Sequence, residues 1–269
     1  MYPDILRILD RFKNIQTVFI RYTLYGLGLI DVLILPKLLD AQVYAGIEYY
    51  KNLIFLFPNV LLGASSGYIY SYYVEKEDNF DSFFKVSITI SVATAFITGI
   101  LINNYFIILP LTLINVYTSL EQKLKVTRNF LEAFLFKPLL SISGLFICFL
   151  SISSDERVII LVMFSLAGFI WLIFVLRKIN VPFRLAVRKD YSTYYKLVRK
   201  SISITLCSLV LSVLMFGERF FIEKYYNNQL ASYSFAFNLS QIIVILISVF
   251  GYLATVEYGE KLEILKKMI

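Results

Sequence analysis

Residues 158–176 read VIILVMFSLAGFIWLIFVL, nineteen consecutive positions without a charge, bounded by Arg157 on one side and Arg177-Lys178 on the other. As a helix this stretch is about 28 Å long, close to the roughly 30 Å hydrocarbon thickness of a bilayer. It reads as one membrane span, and runs of the same kind flank it. Residues 52–74, 138–154, 201–217 and 225–256 are uncharged. Residues 86–120 are uncharged but too long for one crossing, and Asn103-Asn104 divides them. Residues 18–36 are apolar apart from Arg21 and Asp31. The expectation is therefore an all-α, polytopic membrane helix bundle with eight spans near 16–36, 45–74, 83–102, 104–121, 132–153, 157–176, 198–217 and 230–254.

Composition points the same way. Of 269 residues, 58% are hydrophobic and only 17% charged, against about a quarter charged in soluble domains. Mean hydropathy is +0.72. One soluble core of this size cannot hide so much apolar surface. The chain has no His, which excludes His-ligated zinc, His general bases and Ser-His-Asp triads. Its two Cys, Cys148 and Cys207, lie in apolar runs far apart and form no CxxC site. No phosphate-binding glycine loop and no paired acidic DxD motif is present. These absences leave no signal for an enzyme and no signal for a cofactor.

The net charge of +7 is explained by topology. With the N-terminus cytoplasmic, twenty of the 26 Lys and Arg fall between spans on the cytoplasmic side and four on the outside. Such an asymmetry sets orientation in a membrane, so nucleic acid is not an expected partner. No cleavable signal peptide is read at the N-terminus. Residues 1–14 form a short amphipathic segment with Ile5, Ile8, Leu9 and Phe12 on one side, suited to lie in the headgroup interface. The most basic loop, 177–200, marks the boundary between a six-helix lobe, residues 1–180, and residues 181–269, which hold that loop and the first two helices of a second lobe. Residues 218–230 read as the longest outside connection.

Polar residues at helical spacing show where the spans face one another rather than lipid. In the first span Thr17, Arg21, Gly28 and Asp31 share a face. Arg21 and Asp31 are about 15 Å apart along the axis, so each needs a partner elsewhere. The second span carries Glu48, Asn52, Asn59, Ser66, Tyr70 and Tyr73 in one stripe, flanked by Lys51. Thr112, Asn115, Ser119 and Gln122 align in the fourth span, and Ser201, Thr205, Ser208, Ser212 and Arg219 along the seventh. Ser234, Asn238 and Gln241 continue the pattern in the eighth. The candidate binding residues are Arg21, Asp31, Glu48, Lys51, Asn52, Asn59, Arg219, Asn238 and Gln241. Acidic residues 75–81 and the basic loop 121–132 read as solvated connectors, the latter in contact with anionic headgroups.

Several segments carry a family resemblance. Phe19-Ile20-Arg21-Tyr22 opens the first span, which ends in Leu35-Pro36-Lys37. Tyr44-Ala45-Gly46-Ile47-Glu48 leads into a long second span with Gly63 and Gly67. Gly217-Glu218-Arg219 is followed by Leu230-Ala231-Ser232-Tyr233-Ser234-Phe235-Ala236. In these segments, and in the order of its spans, the chain resembles the polysaccharide flippases, or O-antigen translocases, of the multidrug/oligosaccharidyl-lipid/polysaccharide exporter superfamily.

That resemblance implies two helical lobes around a central cavity in the bacterial cytoplasmic membrane. It implies a cargo, an oligosaccharide linked to undecaprenyl diphosphate, moved from inner to outer leaflet in lipopolysaccharide or other surface-polysaccharide biosynthesis. Membrane lipids and other glycan-assembly membrane proteins are the implied partners. It also implies cavity roles for Arg21, Asp31, Glu48, Lys51 and Arg219. Family members have twelve or more spans, so eight read as a short form. The alternatives are a drug or small-molecule exporter of the same superfamily, and a non-transporting membrane fragment or subunit.

Overall fold

The computed structural model describes residues 19–240, apart from residues 21, 25, 29, 62–63, 128, 151–154 and 182–183. The fold is all-α, with no strand among the described residues. Described residues between 19 and 28 are helical and lead into α1 (Ile30–Leu38). Then come α2 (Ala41–Leu61), α3 (Ala64–Tyr70) with a π turn at Ser71–Glu75, α4 (Phe80–Leu101) and α5 (Ile108–Val126). Short α6 (Phe130–Phe134) bends at Leu135 into α7 (Phe136–Phe149). α8 (Glu156–Leu176) and α9 (Arg188–Tyr226) follow, and residues 230–240 form α10 after a 3-10 turn at Asn227–Gln229.

Local chemistry accounts for the helix ends. Asn103 adopts φ 54° after α4, a left-handed conformation that Asn tolerates well. It turns the chain through Tyr105–Ile107 into α5. Asp155 caps α8 by accepting the Arg157 N–H at 2.8 Å. α9 is longer than the span expected at 198–217. It begins at Arg188 and runs through Tyr226, so half of the expected loop 177–200 and most of the expected connection 218–230 are helix. Residues 184–216 contain neither Gly nor Pro, and Asp190 accepts the Val187 N–H at 2.9 Å where the helix starts.

Hairpins α4–α5 and α7–α8 fix the two ends of the bundle. At one end Lys123 pairs with Asp78, Lys200 with Glu75 at 2.6 Å and Lys178 with Glu132 at 3.7 Å. The connections near 76–79, 127–136 and 177–187 therefore lie together, and we call this the basic end. At the opposite end Asn104 reaches the Tyr50 hydroxyl at 3.4 Å. An aromatic cluster packs α5, α6, α7 and α8 near the basic end. Tyr117 stacks on Phe136 at 4.4 Å and meets Trp171 edge-on at 5.0 Å. The indole of Trp171 donates to the Glu132 carbonyl at 2.7 Å. α9 lies against α2, α3 and α4. Its Leu197 carbonyl is 2.0 Å from where a Cβ on Gly67 would stand.

Large apolar side chains also face outward, among them Leu101, Phe149, Phe169, Ile204 and Leu214. Among the described residues, α4 and α8 are long and apolar enough to cross a membrane, and α7 is a shorter apolar helix. α2 and α5 fall short because of the polar residues they carry, including Glu48, Lys51 and Asn52 in α2 and Glu121, Gln122, Lys123 and Lys125 in α5. The expected interfacial segment 1–14, the far part of the span 230–254, Arg21 and Gln241 lie outside the described residues, as does the side chain of Asn59.

Candidate functional site

The polar stripe of α2 turns inward and meets three other helices. Lys51 Nζ lies 3.1 Å from Asp31 Oδ2 of α1 and 2.9 Å from Glu48 Oε1, one turn back on its own helix. The other Glu48 oxygen, Oε2, is 3.4 Å from Arg219 Nη1 of α9 and accepts a hydrogen bond from Asn238 Nδ2 of α10 at 2.7 Å. Asn238 closes the ring by accepting Arg219 Nη2 at 2.9 Å. The Arg219 guanidinium lies 4.6 Å from the ring centre of Phe237, a cation–π arrangement.

Burial makes this geometry significant. Asp31, Glu48 and Arg219 are each at most 3% exposed. Charges taken out of water need close partners and extra hydrogen bonds to offset desolvation. Here two carboxylates face two cations, so the cluster is formally neutral. All four carboxylate oxygens are occupied, since Asp31 Oδ1 accepts the Val32 N–H at 2.9 Å. Asn52 is turned back, donating to the Glu48 carbonyl at 2.5 Å. Among the described residues, Arg219 Nε is buried without a hydrogen-bond partner.

The cluster forms one end of a cavity of about 520 Å³, within the range of small-molecule sites. From Asp31, Glu48, Lys51, Asn52, Arg219 and Asn238 the cavity runs past Gly28, Thr118 and Ser141 to Glu121, Gln122, Lys125 and Lys137. The Ser141 hydroxyl donates to the Gly28 carbonyl at 2.9 Å, tying the α1 segment to α7 along the wall. Lys125 pairs with Glu121 at 3.0 Å, and Lys137 is exposed. The cavity is thus buried at the Glu48 end and reaches solvent at the basic end.

Comparison with protein-family models, with characterised proteins and with solved structures finds no match. The site is therefore read from its own chemistry. Six of the nine sequence candidates, Asp31, Glu48, Lys51, Asn52, Arg219 and Asn238, converge on the cavity. Asp31 finds its partner on α2. Arg219, which sequence placed beside an outside loop, is instead within a continuous helix. Sequence reading left Glu121, Lys125 and Lys137 as connector or topology charges, yet they line the cavity. Lys125 extends the α5 stripe of Asn115, Ser119 and Gln122 by one more three-residue step. That periodicity was the available signal.

Proposed function

We propose that the protein is a polytopic membrane transporter whose cargo is a lipid-linked oligosaccharide carried on undecaprenyl diphosphate. It moves the headgroup from the inner to the outer leaflet of the bacterial cytoplasmic membrane by alternating access. The observation that carries this reading is the buried, neutral ion network at the head of a cavity in a bundle whose outer face is apolar. Exposed Phe149, Phe169 and Leu214 suit lipid rather than water. Ionisable groups inside such a bundle mark a transport path or ligand site. The common basic end of the connections agrees with the charge asymmetry of a cytoplasmic face.

Four cations, Lys51, Lys125, Lys137 and Arg219, stand against three carboxylates, Asp31, Glu48 and Glu121, along the cavity. Guanidinium and ammonium groups suit a diphosphate, and the Thr118, Asn52 and Asn238 side chains suit sugar hydroxyls. A small-cation exporter is less well supported, because each of the three carboxylates already has a cationic partner.

The test is restoration of surface glycan in cells deleted for their own translocase and supplied with the matching assembly enzymes. The parent chain is expected to restore display, and Arg21→Ala and Arg219→Ala are expected to reduce it. Unchanged display in both variants sinks the site assignment.

A further inference from the structure

We propose that the junction of Glu48, Arg219 and Asn238 is a latch that holds α9 and α10 against α2 and so closes the cavity at the end away from Lys125 and Lys137. This rests on the transporter reading, because a latch has meaning only if the cavity opens in turn to each face. α9 is attached to the rest of the bundle in two unlike ways. Toward the basic end the attachment is a close helix contact, with the Leu197 backbone against Gly67. Asp190 adds a hydrogen bond from the Ser82 hydroxyl at 2.7 Å, and Lys200 pairs with Glu75 at 2.6 Å, so that end keeps a backbone contact as well as polar ones.

At the opposite end the described polar contacts are those of Arg219 and Asn238 with Glu48, beside the edge-on contact of Tyr49 with Phe220 at 5.5 Å. A close backbone contact cannot be exchanged for anything else. A hydrogen bond between side chains can be exchanged for water or for a polar ligand. The Glu48 to Arg219 contact is long at 3.4 Å, and among the described residues Arg219 Nε has no hydrogen-bond partner to give up. The polar end is therefore the one built to part, with the Gly67 contact as pivot. Lys51 stays with Asp31 and Glu48 on the first-lobe side, so when the latch opens the Glu48 carboxylate is still paired.

The experiment uses the full chain with Cys148→Ala and Cys207→Ala, and Thr118→Cys as a reporter on the cavity wall. A membrane-impermeant methanethiosulfonate is applied to right-side-out and to inverted membrane vesicles. With the latch intact, labelling is expected at least about tenfold faster from the cytoplasmic face. Glu48→Gln and Asn238→Ala are each expected to raise labelling from the outside by about tenfold. Asn238→Ala removes no charge and serves where Glu48→Gln fails to fold.

Equal labelling from both faces in the parent overturns the latch, as does an outside rate unmoved by Asn238→Ala. Labelling that responds while glycan display never depended on the protein keeps the latch and discards the proposed cargo. Lost display with unresponsive labelling does the reverse.

Discussion

Arg219 and Glu48 lie 171 residues apart in the chain, yet Nη1 and Oε2 are 3.4 Å apart in the fold. Each is at most 2% exposed, so in this state the pair is shielded from bulk water. Arg219→Ala leaves Glu48 with Lys51 and Asn238, and opens a void beside Phe237. Removing one partner of a buried pair typically costs about 3–5 kcal/mol. The single variants Arg219→Ala and Glu48→Ala are each expected to lower the melting temperature in detergent. The double variant is expected to lose less than the sum of the two, with a coupling of about 0.5–3 kcal/mol. Strictly additive losses would mean that the two side chains do not stabilise each other.

Gly67 gives a steric prediction independent of charge. A Cβ there would stand 2.0 Å from the Leu197 carbonyl oxygen and 2.7 Å from its carbon. Both are backbone atoms and cannot rotate away, so α3 and α9 must separate. Gly67→Ala is expected to destabilise by about 1–3 kcal/mol or more, as overpacking does. Gly26 is the control. It is also helical, but none of the described residues lies within 4 Å of its Cβ position. Gly26→Ala is expected to stabilise slightly, by up to about 1 kcal/mol. Equal effects from the two substitutions would remove the close approach as an explanation.

How much of this was legible in the sequence follows from what each feature depends on. The helix class came from uninterrupted apolar runs, and the divide near Asn103 from two Asn in an otherwise apolar stretch. The inward face of α2 came from the three- and four-residue spacing of Glu48, Lys51 and Asn52. Pairing was a different matter. That Asp31 meets Lys51, or that Asn238 bridges Glu48 and Arg219, depends on how helices rotate against one another, which spacing along one helix does not record. The start of α9 at Arg188 was hidden because charge was read as a loop signal. Lys, Arg and Leu are good helix formers, and only a Gly or Pro would have argued for a break.

Asp190 supplies a pH-dependent contact at the basic end. Its carboxylate accepts the Val187 N–H at 2.9 Å and the Ser82 hydroxyl at 2.7 Å. The backbone N–H, then the hydroxyl, hold its carboxyl below the usual range. A depressed native value favours the folded state above the unfolded pKa of about 3.9. The contribution is complete above that value and is lost as pH falls through the lower native one. The melting temperature of the parent should therefore exceed that of Asp190→Asn near neutral pH, and the gap should close below about pH 4. Glu75, lowered in the same direction by its hydrogen bond from Lys200, titrates alongside, so the comparison is made in a Glu75→Gln background. A gap that persists unchanged through the acid range would show that Asp190 does not act through its charge.

Cys207 tests the membrane reading without any assay of transport. It lies within α9 and is exposed, with Ile204 and Val210 exposed nearby. On the surface of a soluble protein such a thiol reacts readily with a water-soluble maleimide. In a span it faces hydrocarbon, which a water-soluble reagent does not enter. With Cys148→Ala in place to remove the other thiol, labelling in native membranes is expected to be at least about tenfold slower than after denaturation in dodecyl sulfate, which brings the thiol into water. Placing the cysteine at Ser192 instead, in the first turns of α9 at the basic end, should restore fast labelling in the same vesicles once that face is exposed. Rapid modification of Cys207 in intact membranes would put α9 in water, and the eight-span arrangement could not stand.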